Sequence, residues 1–556
     1  MSLRGRLRQV RTDERGFAMV IAVALMALVT IVSIGLMTLA QGEDSHSRRD
    51  ATADNSYQAA EAGTDAYLSD LTESNIFWSS YMAEGEATRT DINNVAHVND
   101  CSTLDANGKP TCPNLSWTSG TKWTYPKTPA ARAADKGWYT IANTGYQYLI
   151  QVTPPNTALA GLAQVITTID VTGRPTGSTD VSKWKTIETQ IRPSSLADFQ
   201  AFSAGNLSYA VGATTEGPIF VGEDNSGNVG NLSHDGTAMA NLYAEGTVSG
   251  STTYQNNAKK YDSTTNPTAL CKLNNCSKVQ FTQFANTITT VAGAAAAGGI
   301  NLGSTDSNNS ALSGQSPAYH VDAWKLVFLS NGTVQVSSCK KYTTGGSTPK
   351  TLEVYQGYNT SYNSAGMNPP VCGDMQTLSV PTNGAIYSAV DVIVSGVVKG
   401  KVTVATSADA VFGGNITYAT PGQDVLGVEA TGTLYIATWG LDSLGNITIW
   451  AAMFSLNGPW EGDLNCSTSS NYSNCHASST VCKQNPPTYP YGNPATCTMY
   501  SYGSVAIYGD GSTSSIHTSQ LFQHRDYNYD NNLLFVQPPY WPTLGNAFTI
   551  LTQRPI

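Results

Sequence analysis

Residues 392–404 read Val-Ile-Val-Ser-Gly-Val-Val-Lys-Gly-Lys-Val-Thr-Val, short apolar runs parted by Gly396 and Gly400. The pattern recurs at Ile416-Thr417-Tyr418, Leu434-Tyr435-Ile436 and Ile447-Thr448-Ile449, at irregular intervals of roughly 10–18 residues. Gly413, Gly414, Gly427, Gly432 and Gly445 fall between these runs. Short strands closed by glycine turns predict a sandwich, a barrel or a solenoid. Strands this short and numerous favour a right-handed parallel β-helix, each coil stacking its inward Val, Ile and Leu on the next. This mainly β ectodomain is expected over 199–556, with disulfide-bearing loops.

Working back toward the N-terminus, the pattern changes. Trp138–Ile141, Tyr146–Val152, Val165–Val171 and Trp184–Ile191 read as longer strands, with a turn over Gly173–Gly177. Before them, Tyr57, Ala60, Thr64, Tyr67 and Leu71 step by three and four, the spacing of one helical face. The spacing predicts a helix over 17–75 and a small α+β head over 76–195.

The first half of that helix is apolar. Residues 17–40 carry no charge and no proline, and a helix of that length spans about 36 Å, enough to cross a bilayer. Arg4, Arg6, Arg8, Arg11 and Arg15 precede it, so the leader 1–16 is expected to stay cytoplasmic and everything after Ala40 to be exported. Three fates compete for this segment: a plain signal anchor, a secretory signal cut after Ala40, or a cut between Gly16 and Phe17 that keeps the helix.

Arg15-Gly16-Phe17 before an apolar helix resembles the class III signal of type IV pilins. Gln58-Ala59-Ala60-Glu61-Ala62-Gly63, shortly after it, resembles the PilX-type minor pilins. The resemblance implies cleavage by prepilin peptidase after Gly16, N-methylation of Phe17, and a membrane-held subunit that later packs with other pilins in an extracellular filament. It also implies that Ala59, Ala60, Glu61, Ala62 and Gly63 are a helix-packing motif between subunits. The family's usual fifth residue is glutamate, paired with the ammonium of the adjacent subunit; here that position is Ile21. A subunit with nothing ahead of it to neutralise does not need the acid, so a tip or initiating subunit is expected. Residues 385–458 and 533–556 are similar to an uncharacterised β-solenoid family that follows PilX-like N-termini.

Composition fits export. The chain is 13% charged, with 50 glycines and 28 tyrosines, and its net charge of −10 disfavours nonspecific nucleic-acid binding. The ten cysteines all follow residue 100, which favours disulfides. Sequential pairs are expected: Cys101–Cys112, Cys271–Cys276, Cys339–Cys372, Cys466–Cys475 and Cys482–Cys497. No metal site and no cofactor are expected. Glu223–Asn228 has the oxygen ligands of a calcium loop but lacks its distal glutamate, and reads as a turn.

Nor do the residues point to catalysis. Asp391, Asp409, Asp424, Glu429 and Asp442 read as solvated acids on turns, and His517 and His524 as surface or packing histidines. The expected role is non-enzymatic: contact with a host, cell-surface glycans or DNA. DNA contact would need Lys259, Lys260, Lys340 and Lys341 to converge. The alternatives are a membrane-anchored surface solenoid outside any filament, or a polysaccharide-active β-helix enzyme.

Overall fold

A computed structural model describes residues 50–69, five short strand pieces between 88 and 124, and residues 138–153, 166–209, 213–224, 226–265, 281–314, 317–340, 370–442, 445–462, 498–508, 516–517, 522 and 524–556. The chain is mainly β. Residues 50–69 form a helix, and a second helix runs over Ala285–Gly298. The expected helix over 17–75 is described only at 50–69, and among the described residues no helix is long and apolar enough to cross a membrane.

The 50–69 helix lies across an antiparallel sheet whose central strands are Tyr146–Thr153, Thr167–Pro175 and Lys185–Ser195. Ala60 and Tyr67 on the helix pack on Ile150, Val152, Ile169, Val171, Ile187 and Ile191. The next strand of this sheet is Thr543–Pro555, antiparallel to Lys185–Ser195. Sequence reading put residues 533–556 with the solenoid; the register instead gives the closing strand to the head. The stack of short strands is therefore inserted between two neighbouring head strands.

Gly173 also departs from expectation. It stays inside a strand rather than opening a turn. A Cβ there would stand 1.9 Å from the Ser56 carbonyl oxygen and 2.7 Å from the Ala60 nitrogen. Its missing side chain is what lets the helix lie close to the sheet.

Between the two head strands the chain builds parallel ladders. One inward column runs through Ile300, Ile386, Val404, Val428, Met453, Val505, Ala201, Ile219, Leu242 and Lys260, each paired in register with the next. All but Ile300 and Lys260 are fully or nearly buried, and burying each large aliphatic one contributes about 1.5–3 kcal/mol. A second ladder joins Val392, Ala410, Leu434, Trp460 and Ile516; a third joins Gly396, Ile416, Ile449, Ser501 and Tyr527.

Spatial order is not chain order. The chain enters mid-stack at Ala201 and climbs to Lys260. Helix Ala285–Gly298 lies outside the first ladder: Phe281, just before it, touches Phe202 and Phe454, while Gly299, just after it, abuts Ala385. The chain then climbs again from Ile300 until Val505 pairs with Ala201. The lower end is closed by an antiparallel hairpin, Ala323–Leu329 with Thr333–Lys340, and by the Cys339–Cys372 disulfide.

Rung corners are held by side chains acting as backbone. Asn206 Oδ1 accepts from the Asn231 amide at 2.8 Å, and Asn231 Oδ1 from the Thr247 amide at 2.9 Å. Asp391 and Asp409 do the same for the amides of Asp409 and Thr433. Each bond satisfies an amide that would be orphaned where the ladder turns.

Candidate functional site

The helix-on-sheet head and its junction with the stack are where the chain's parts meet. Ser56, Ala59, Ala60, Thr64 and Tyr67 are buried along one helical face, while Glu61 and Ala62 are exposed. The small residues read as a packing motif between subunits thus serve, at Ala59, Ala60 and Gly63, the head's own sheet. A Cβ on Gly63 would meet Val171 Cγ1 at 2.6 Å and Tyr148 Cδ2 at 2.7 Å.

The polarity of this contact is informative. At the start of the helix, Asn55 Nδ2 donates to the Tyr146 hydroxyl and Ser56 Oγ to the Lys183 carbonyl. Further along, Gly63 sits over Val171, and Thr167 at that strand's start pairs with Ile191. The helix therefore runs toward the edge of the sheet where Lys185–Ser195 ends. The stack leaves the head at the end remote from residue 50.

A buried polar cluster makes the junction. Arg192, 1% exposed, meets Asp198 in a two-pronged ion pair. Arg192 Nε donates to the Leu534 carbonyl at 3.0 Å, and its Nη1 to the Pro193 carbonyl at 2.9 Å. Asp198 also accepts from the Ser195 amide, Gln537 Nε2 and Thr549 Oγ1, at 3.0, 3.0 and 2.8 Å. Tyr529 donates to the Ala197 carbonyl at 2.9 Å, and burial pushes its phenol up. The cluster ties the outgoing chain to the returning one. Sequence reading missed it; Ser195-Leu196-Ala197-Asp198 is a capping box, the one local signal that could have marked it.

The other expected residues fall as follows. Gly16, Phe17 and Ile21 lie outside the described residues, as do Cys101, Cys112, Cys271, Cys276, Cys466, Cys475, Cys482 and Cys497. Cys339 and Cys372 are bonded, with Cα atoms 4.0 Å apart. Asp224 accepts from the Ser226 and Asn228 amides and from Asn228 Nδ2. Burial works against its charge, yet these bonds hold its carboxyl below the usual range, and the segment is a closed turn. Lys259 and Lys260 sit at the upper rung and Lys340 on the lower hairpin, so these three do not converge, and Lys341 lies outside the described residues. His517 and His524 stand on different ladders.

Two of the five acids expected on solvated turns are buried: Asp424, which accepts from the Gly400 and Thr420 amides, and Glu429. Glu429 lies within strand Val425–Ala430, fully buried on its outward side in register with Ala405 and Phe454. Neither of its oxygens has a hydrogen-bond partner among the described residues, and burial pushes its carboxyl well up. On the second ladder, burial and then Asp409 push Glu461 up to about 7. Asp409 is itself raised by burial while accepting from the Thr433 amide at 2.7 Å. Among the described residues, no three His, Cys, Asp or Glu side chains are grouped to hold a metal ion.

A scan of protein-family models and searches of curated proteins and solved structures return no match to this chain.

Proposed function

We propose that the chain is a non-enzymatic minor pilin of the type IV pilus, placed at the filament tip and presenting a right-handed parallel β-solenoid. The observation that carries this reading is the insertion. A helix packs on an antiparallel sheet, and the stack leaves that head at the edge remote from the helix's first residues. With the apolar 17–40 segment in the membrane or the filament core, the stack points away from the cell. A body of that size on the leading end obstructs a further subunit ahead, and Ile21 removes the acid a subunit in the shaft uses. Prepilin peptidase, the inner membrane and other pilins are its partners during assembly; surface contact and priming of assembly are its roles at the tip.

Mass spectrometry of the mature N-terminus tests the processing: N-methylated Phe17 is expected. Met1 or Ser2 there would favour a surface solenoid held by an uncleaved anchor. Gold labelling should decorate filament ends; label along the shafts would overturn the tip position.

A further inference from the structure

The stack has three outward faces, and two are covered. Helix Ala285–Gly298 and the segment around Leu533–Trp541 lie on the first, and the Trp439 turn with the Cys339–Cys372 hairpin lies on the second. On the third, among the described residues, Tyr500 and Asp526 are exposed at the middle rungs, while Asp530 and Asn532 hydrogen-bond the half-buried Tyr502. Two outward columns run side by side there: Thr448, Tyr500 and Asp526, and Trp450, Tyr502 and Asn528.

Aromatic rings project from this face at successive rungs, about 4.8 Å apart along the stack. Trp450 and Tyr502 lie 5.4 Å apart, and Tyr418 braces Trp450 from the rung below at 5.7 Å. Tyr500 is 43% exposed, whereas Trp450 and Tyr502 are half-buried. Thr448, Asp526 and Asn528 set hydroxyl, carboxylate and amide groups between and beyond the rings. Rings held upright by packing suit the C–H face of a sugar, and the polar groups suit its hydroxyl rim. Two adjacent columns over three rungs make an elongated strip, which fits an extended chain better than a small molecule. Charge narrows the class: Asp526 is exposed in one column, with Arg525 as the adjoining cation, in a protein of net charge −10. Such a surface disfavours anionic polymers.

We infer that Trp450, Tyr500 and Tyr502 form a binding strip for a linear, neutral polysaccharide. This rests on the proposed function only in taking the stack as the part presented to the surroundings.

The test uses the full chain in detergent, with cellulose, chitin, mannan and dextran as neutral probes and heparin as an anionic one. Retention on at least one neutral polymer is expected, unchanged by salt. Tyr500→Ala, at an exposed position, should weaken it about tenfold, and Trp450→Ala at least as much. Circular dichroism checks that each variant keeps its strands. No retention on any neutral polymer, salt-sensitive retention on heparin alone, or unchanged retention by both variants would overturn the strip. The mature N-terminus is read on the same preparation. Phe17 without polysaccharide binding sinks this inference alone; Met1 with binding sinks the pilin reading alone.

Discussion

The head and the stack solve the same problem, burying one face of a sheet, by opposite means. In the head a single helix covers an antiparallel sheet, and its three central strands are consecutive in the chain. In the stack no rung is covered by its chain neighbour alone, and the central contact joins Val505 to Ala201 across most of the chain. The head's central strands can form early and locally, whereas the stack is complete only when its last coil meets its first. Between them lies the Arg192–Asp198 cluster, which couples the two.

That contrast breaks most visibly at the coupling. Arg192→Met leaves Asp198 buried without its cation and should destabilise the protein by about 3–5 kcal/mol. Urea unfolding should then show head and stack melting apart; a single unshifted transition would mean the two are not coupled here. Next is the stack's lower end. Replacing Cys339 and Cys372 by serine frees the hairpin and should lower stability by about 2–4 kcal/mol, with early proteolysis confined to 323–379. Equal loss of protection in the head would contradict the separation. Gly173→Ala acts in the head alone. The new methyl meets Ser56 and Ala60 backbone, and the forced shift should destabilise by about 1–3 kcal/mol. Hydrogen exchange should rise over 50–69 and not over the ladders.

The last prediction is opposite in sign. The Glu429 carboxyl is held well above the unfolded value of about 4.3 by burial. Its neutral form favours folding, so the stability it permits is full below that value and is lost as pH rises through the folded value. Helix Ala285–Gly298 brings no charge, and residues 536–541 bring only the Tyr540 phenol. Lys401 lies four residues before Ala405, the residue in register with Glu429 on the neighbouring strand. Glu429→Gln should therefore match the parent at pH 4 and melt higher at pH 8. An equal melting temperature at both pH values would show that water or a rearrangement satisfies the carboxylate.

Much of the architecture was legible. Alternation marked the central head strands, and the three-four spacing of Tyr57, Ala60, Thr64 and Tyr67 marked the face that packs on them. The short runs at 392–394, 402–404, 416–418, 434–436 and 447–449 all lie in ladder strands. What escaped has a common cause. Periodicity reports which side of a strand is apolar, not which strand comes next, so the meeting of Val505 with Ala201 left no trace. Gly173 reads as a turn because a glycine demanded by a helix above it looks like one demanded by its own dihedral. Glu429 reads as a surface acid because its register neighbour Phe454 is covered by Phe281 and Phe284, more than a hundred residues away. The joint was hidden for the same reason: Arg192 and Asp198 find Leu534, Gln537 and Thr549 only once the chain has returned.

The insertion has a mechanical consequence. Both crossings between head and stack run through adjacent strands, Lys185–Ser195 and Thr543–Pro555, at the stack's waist. Tension on a load gripped by one arm of the stack reaches the head by two covalent routes in parallel. One of those routes always passes through the opposite arm, because the chain threads the upper rungs and then the lower ones before it returns. A coil torn open at either extremity would lengthen the path between load and head without severing it, as in a yielding link fastened at its midpoint.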